Sequence, residues 1–119
     1  MNQLLLVALG GAAGSLARYG LGMLIARAAG VGFPWGTLTV NVLGGIAMGV
    51  LAARVGPEQE GLRLALGVGF LGGFTTFSAF SIEAVRLLQH QPGAGLAYVA
   101  ASVVLSLSGC WLGLVLGRA

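Results

Sequence analysis

Four apolar stretches, each close to the length that crosses a lipid bilayer, occupy most of the 119 residues. They run from about Leu4 to Ala26, interrupted by Arg18, then from Val31 to Ala53, from Leu64 to Ile82 and from Ala94 to Gly117. The last three contain no charged residue. A hydrocarbon core of about 30 Å needs roughly 20 mainly apolar helical residues. With 57% hydrophobic and 8% charged residues, and a mean hydropathy of +0.96, little polar side chain is left to cover a water-facing surface. Soluble domains carry about 25% charged residues. The sequence therefore reads as an all-α membrane protein with a single domain over 1–119. Its helices are expected at about 3–27, 33–54, 61–90 and 94–117. The N-terminal segment lacks the positive leading region of a secretory signal and stays apolar beyond Arg18, so it is read as the first membrane helix.

Several function classes fall away on charge and residue type. The net charge is +3, but the six positive residues are all Arg and stand singly at 18, 27, 54, 63, 86 and 118. Nucleic-acid binding needs a clustered basic patch, so no nucleic-acid partner is expected. Cys110 is alone and gives no disulfide or cysteine metal site within one chain. One His at a helix edge, no carboxylate pair and no nucleophile with a base leave no basis for an enzyme.

The arginines are nearly balanced across the membrane. Arg54, Arg63 and Arg118 fall on one side, and Arg27 and Arg86 on the other. Orientation normally follows the excess of Lys and Arg on the cytoplasmic side. A three-to-two split permits either a weakly signalled orientation or insertion both ways, the latter compatible with an antiparallel homodimer. Small-xxx-small spacings at Gly10/Gly14, Gly45/Gly49, Gly69/Gly73 and Gly109/Gly113/Gly117 favour close helix packing in lipid.

The third stretch carries the pattern Gly72-Gly73-Phe74-Thr75-Thr76-Phe77-Ser78-Ala79-Phe80-Ser81. Paired glycines weaken a helix, and four hydroxyl residues follow at a depth where hydrocarbon is the expected surrounding. Such irregularity is tolerated where backbone is buried in protein or lines a watery cavity. A break near 72–76 is therefore expected. Phe77 and Phe80 share a face, as do Thr76 and Phe80, while Ser78 and Ser81 occupy the neighbouring one. Positive ring edges beside hydroxyl donors suit a small anion. A broken helix also presents backbone carbonyls that suit a cation.

Other polar residues extend this theme. Arg18 lies inside the first span, and either snorkels to the interface or faces a cavity. Thr37 and Asn41 share a face of the second helix. Thr37 is expected to make an interhelical hydrogen bond, and Asn41, with its two N–H donors, to face the cavity. Tyr98, Ser102 and Ser106 follow at i, i+4 spacing and form a hydroxyl ladder on the fourth helix.

These residues resemble the Fluc (CrcB) fluoride channel family. The third-helix run is the specific match. Gly10-Gly11-x-x-Gly14-x-x-x-Arg18-Tyr19 and Gly36-Thr37-Leu38-x-Val40-Asn41-x-x-Gly44 are similar to the family's first and second helices. The resemblance implies four transmembrane helices, the third broken near its middle, in an antiparallel dual-topology homodimer with two fluoride pores. It implies a pore lined by Phe77, Phe80, Asn41, Thr76, Ser78 and Ser81, with Tyr98, Ser102 and Ser106 as a polar track. Arg18 and Thr37 would belong to the vestibule. The carbonyls of Gly72 and Thr75 would hold a structural sodium ion at the dimer centre. The implied activity is passive, selective export of fluoride across a microbial inner (plasma) membrane, with fluoride, a second copy and membrane lipid as partners. The competing reading is a small dual-topology multidrug or cation exporter. That chemistry needs a membrane-embedded carboxylate, for which Glu83, placed near the end of the third helix, is the one candidate.

Overall fold

The computed structural model describes residues 2–119 and contains four helical stretches long and apolar enough to cross a membrane. The first, α1, spans Asn2–Ala29, and the second, α2, spans Trp35–Arg54. The third stretch is composite. A short α3 (Glu60–Leu62) leads into a π-helix over Arg63–Leu71, then a single α-helical turn, α4 (Gly72–Phe74), and, after two non-helical residues, α5 (Phe77–His90). The last helix, α6, spans Pro92–Arg118. At 1.5 Å per residue, the 28 residues of α1 reach about 42 Å, enough to span the hydrocarbon and both interfacial layers.

Connections are short and read directly from the residues. Gly30, at φ +83°, ends α1 in a left-handed conformation that disfavours side chains. Its N–H returns to the Ala26 carbonyl at 2.8 Å, in the manner of a glycine C-cap. Only Gln91 separates α5 from α6, and Pro92 sits at the start of α6, where its missing N–H has no helical partner to lose.

Glycines fix which helices touch. Along α1 and the third stretch, a Cβ on Gly10 would collide with the Ala65 carbonyl oxygen, and one on Gly14 with the Phe70 carbonyl oxygen. From the opposite side, a Cβ on Gly73 would lie 2.5 Å from the Gly11 carbonyl oxygen. Along α2 and α6, a Cβ on Gly49 would meet the Cys110 carbonyl oxygen, and one on Gly113 the Ile46 carbonyl oxygen. The spacings thus sort into two backbone-to-backbone seams, α1 with the third stretch and α2 with α6. With lipid as solvent, such contact supplies the packing energy that water would otherwise drive. The Arg54 Nε donates to the Gly117 carbonyl at 2.7 Å, satisfying one orphan carbonyl at the end of α6 and tying it to α2.

The interior core is small. Leu38, Phe80, Ala84 and Tyr98 form its buried centre, with Phe33, Val42, Leu87 and Val99 packed against it. Tyr98 is fully buried, edge-on to Phe33 at 5.4 Å and tilted against Phe80 at 5.3 Å. Most other large apolar side chains face outward, as a bilayer allows.

Candidate functional site

Helical conformation in the third stretch stops at Phe74. Thr75 (φ −91°, ψ 158°) and Thr76 (φ −150°, ψ 116°) are extended, and α5 begins at Phe77. Local sequence explains the stop and the restart. Gly72 and Gly73 are weak helix formers. The Thr75 N–H and hydroxyl both turn back to the Leu71 carbonyl, at 3.0 and 2.9 Å. The Thr76 hydroxyl then accepts the Ala79 N–H at 3.1 Å, capping the N-terminus of α5. Threonine is a favoured residue at that position.

Two side chains from other helices pin this extended dipeptide and its approach. Asn41 of α2 accepts the Thr76 N–H through Oδ1 at 2.7 Å and donates its Nδ2 to the Thr76 carbonyl at 3.0 Å. The amide thereby imitates a neighbouring β-strand. Arg18 of α1 donates its Nε to the Gly73 carbonyl at 3.2 Å. The carbonyls of Gly73 and Thr76 are therefore taken, whereas among the described residues no side chain bonds those of Gly72 and Thr75.

A cavity of about 630 Å³ opens on this region. Arg18, Thr37, Thr76 and Glu83 line it, with Arg86 and His90 on its α5 wall. Two arginines against one carboxylate make it electropositive. Its floor includes Thr76, the cap of α5, so it ends against the N-terminal end of a 14-residue helix. The positive end of the helix dipole favours anions there.

Glu83 entered the sequence analysis only as the carboxylate a cation exporter would need, and the structure gives it a different setting. It lies beyond the uncharged run that ends at Ile82, near the middle of α5, which reaches His90 as expected. The Thr37 hydroxyl donates to its Oε2 at 3.1 Å, and the buried Tyr98 hydroxyl to its Oε1 at 3.0 Å. A lone carboxylate followed three residues later by an Arg was the available signal, but an exposed helix end gives the same pattern.

The remaining predicted residues are distributed unevenly. Phe77 and Phe80 are neighbours, with ring centroids 5.5 Å apart, but Phe80 is buried and Phe77 is 80% exposed on the outside of this chain. The Ser78 hydroxyl lies 3.3 Å from that of Thr76. The Ser81 hydroxyl donates to the Phe77 carbonyl at 2.8 Å, one turn back in its own helix. On α6, Tyr98 spends its hydroxyl on Glu83, Ser102 is buried with its Oγ unpaired among the described residues, and Ser106 is half-buried. Of the residues expected in the pore, vestibule or cation site, Arg18, Thr37 and Thr76 line the cavity. No cluster of three His, Cys, Asp or Glu side chains is found among the described residues.

Comparison with known proteins finds relatives over nearly the whole chain. The family profile described as CrcB-like protein, Camphor Resistance (CrcB), matches residues 5–114. A protein of Caulobacter vibrioides (strain NA1000 / CB15N), named fluoride-specific ion channel FluC, is 50% identical over 123 residues, covering 99% of this chain and 97% of its own length. A Rhizobium meliloti (strain 1021) protein of the same name is 50% identical over 124 residues, covering 100% and 98%. One from Phenylobacterium zucineum (strain HLK1), again so named, is 49% identical over 123 residues, covering 99% and 97%. On a match spanning nearly the whole chain, this multi-pass membrane protein belongs to the CrcB family.

Proposed function

We propose that the protein is a fluoride channel that lets fluoride leave the cytoplasm passively, down its electrochemical gradient. The observation that carries this reading is the electropositive cavity ending at Thr76, on the N-terminal end of α5. Arg18 and Arg86 raise the local anion concentration, and the positive end of the α5 dipole adds to their pull. Selectivity then rests on fixed donors in a narrow path beyond the cavity. Phe77, Phe80, Ser78 and Ser81 of α5 and Tyr98, Ser102 and Ser106 of α6 are proposed to wall that path, with Asn41 holding Thr76 in place. The buried Ser102 hydroxyl, with no hydrogen-bond partner among the described residues, is a donor available to the ion. The names of the relatives support fluoride as the ion.

The functional unit proposed is an antiparallel, dual-topology homodimer in the inner membrane of a microbe, with the third helix of each copy broken at Thr75–Thr76. An exposed Phe77 ring and the near-balanced arginines support it. The carbonyls of Gly72 and Thr75 fit a hard cation, since oxygen is the right donor and no side chain occupies them. Two carbonyls from each of two copies would hold a central sodium ion. When bound, that ion supplies charge that holds the two breaks together. The carboxylate of Glu83 does not revive the cation exporter, because hydroxyl donors from Thr37 and Tyr98 already hold both its oxygens.

The test is efflux from proteoliposomes read with fluoride- and chloride-selective electrodes. Rapid electrogenic fluoride release with little chloride release is expected. Equal rates for the two ions would remove the selectivity claim. Crosslinks that join only parallel copies would remove the antiparallel dimer.

A further inference from the structure

A second cavity, of about 280 Å³, lies at the end of the molecule away from Arg86 and His90. It is a groove between the last two turns of α2 and the π-helix. Met48, Leu51, Ala52 and Val55 form one wall, and Gly67 and Val68 the other. The walls come close at Gly67, where a Cβ would lie 3.2 Å from Leu51 Cδ2. A single charged side chain, Arg63, completes the lining. From Met48 to Val55 the groove runs about 10 Å along the helix axis, at 1.5 Å per residue. It therefore begins at the level of the helix ends and descends into the hydrocarbon.

We infer that this groove binds an anionic phospholipid, one acyl chain lying along the apolar walls and the headgroup phosphate meeting Arg63. The charge arrangement favours this occupant. Among the described residues Arg63 has one ionic neighbour, Glu60, at 3.8 Å, with both side chains about half exposed. That separation is an ion contact without a hydrogen bond, so the guanidinium fork stays available for the paired N–H···O geometry that phosphate offers. Glu60 is itself occupied, accepting Gln3 Nε2 at 2.7 Å. A second protein copy over the groove would bury Arg63 and Glu60 at a desolvation cost. A lipid leaves the guanidinium at the water boundary. Basic pockets between membrane helices select anionic headgroups in this way, each Arg near the surface contributing about 1 kcal/mol, or about fivefold.

Native mass spectrometry of the purified full-length protein, offered equal amounts of phosphatidylglycerol and phosphatidylcholine, tests the inference. Wild type should retain phosphatidylglycerol about fivefold over phosphatidylcholine. Arg63→Gln should bring the ratio to about one. Glu60→Gln, which removes the competing carboxylate, should raise it. Ala52→Phe fills the groove from an exposed position and should reduce retention of both lipids. A wild-type ratio of one, or an Arg63→Gln ratio equal to wild type, would overturn the site. So would Ala52→Phe retention equal to wild type, or full competition by soluble glycerol 3-phosphate, since either means that no chain lies in the groove. Disulfide-linked dimers of Ala52→Cys/Cys110→Ser would show a second copy in the groove and overturn the lipid assignment.

Discussion

Replacing Asn41 by Ala tests the joint on which the site depends. The side chain makes two hydrogen bonds to one residue, accepting the Thr76 N–H at 2.7 Å and donating to the Thr76 carbonyl at 3.0 Å. Thr76 is extended and has no helical partner for either group. Leaving a buried polar group unpaired costs about 1–3 kcal/mol. Thr76 lines a cavity that admits water, so the lower end applies, about 1 kcal/mol for each group. The Thr76 cap on α5 requires the same backbone conformation, and loss of a cap costs about 1 kcal/mol. The sum is about 2–3 kcal/mol. Unfolding in mixed micelles, followed by far-ultraviolet circular dichroism, should show that loss, and fluoride efflux per folded protein should fall with it. Asn41→Asp keeps the acceptor for the Thr76 N–H but sets a carboxylate against the Thr76 carbonyl, so it should be no more active than Ala. A loss under about 0.5 kcal/mol with wild-type efflux would refute the idea that Asn41 holds the dipeptide.

Further outcomes follow from other contacts. Gly14→Ala drives a methyl group into the Phe70 carbonyl and within 3.0 Å of the Phe74 N–H, so it should destabilise by about 2–3 kcal/mol in the same unfolding assay. Gly20→Ala, on the same helix with nothing within 4 Å, should instead stabilise by about 0.5–1 kcal/mol. Tyr98→Phe keeps the packing with Phe33 and Phe80 but removes one of the two donors to Glu83. A loss of about 1.5–3 kcal/mol is expected, and unchanged stability would mean that the carboxylate finds water there. Phe80→Ile should slow fluoride efflux while the oligomer, read by size-exclusion chromatography, persists. An unchanged rate in the folded variant would take Phe80 out of the ion path.

The spans were legible because hydropathy is a property of each residue, summed over a window. Gly14 and Gly49 were legible as packing residues from spacing, but spacing is symmetric and names no partner. Their partners, Phe70 and Cys110, follow only from the fold. The stop after Gly72-Gly73 could be anticipated from propensity. Winding of the preceding nine residues as a π-helix could not, because nothing in Arg63–Leu71 departs from an ordinary apolar helix. On α6 the i, i+4 spacing of Tyr98, Ser102 and Ser106 describes one face. It does not reveal that Tyr98 is already bonded to Glu83 while Ser102 is bonded to nothing among the described residues.

By itself the sequence determined a four-span helical membrane protein with a weakened third helix, since apolar length, glycine propensity and threonine capping all act locally. Tertiary structure decided what the polar residues do. Arg18 reaches Gly73 across 55 positions, Asn41 reaches Thr76 across 35, and Thr37 reaches Glu83 across 46. Each is a donor or acceptor that cannot stay unpaired away from water, and which partner satisfies it depends on which helices the glycine seams bring together.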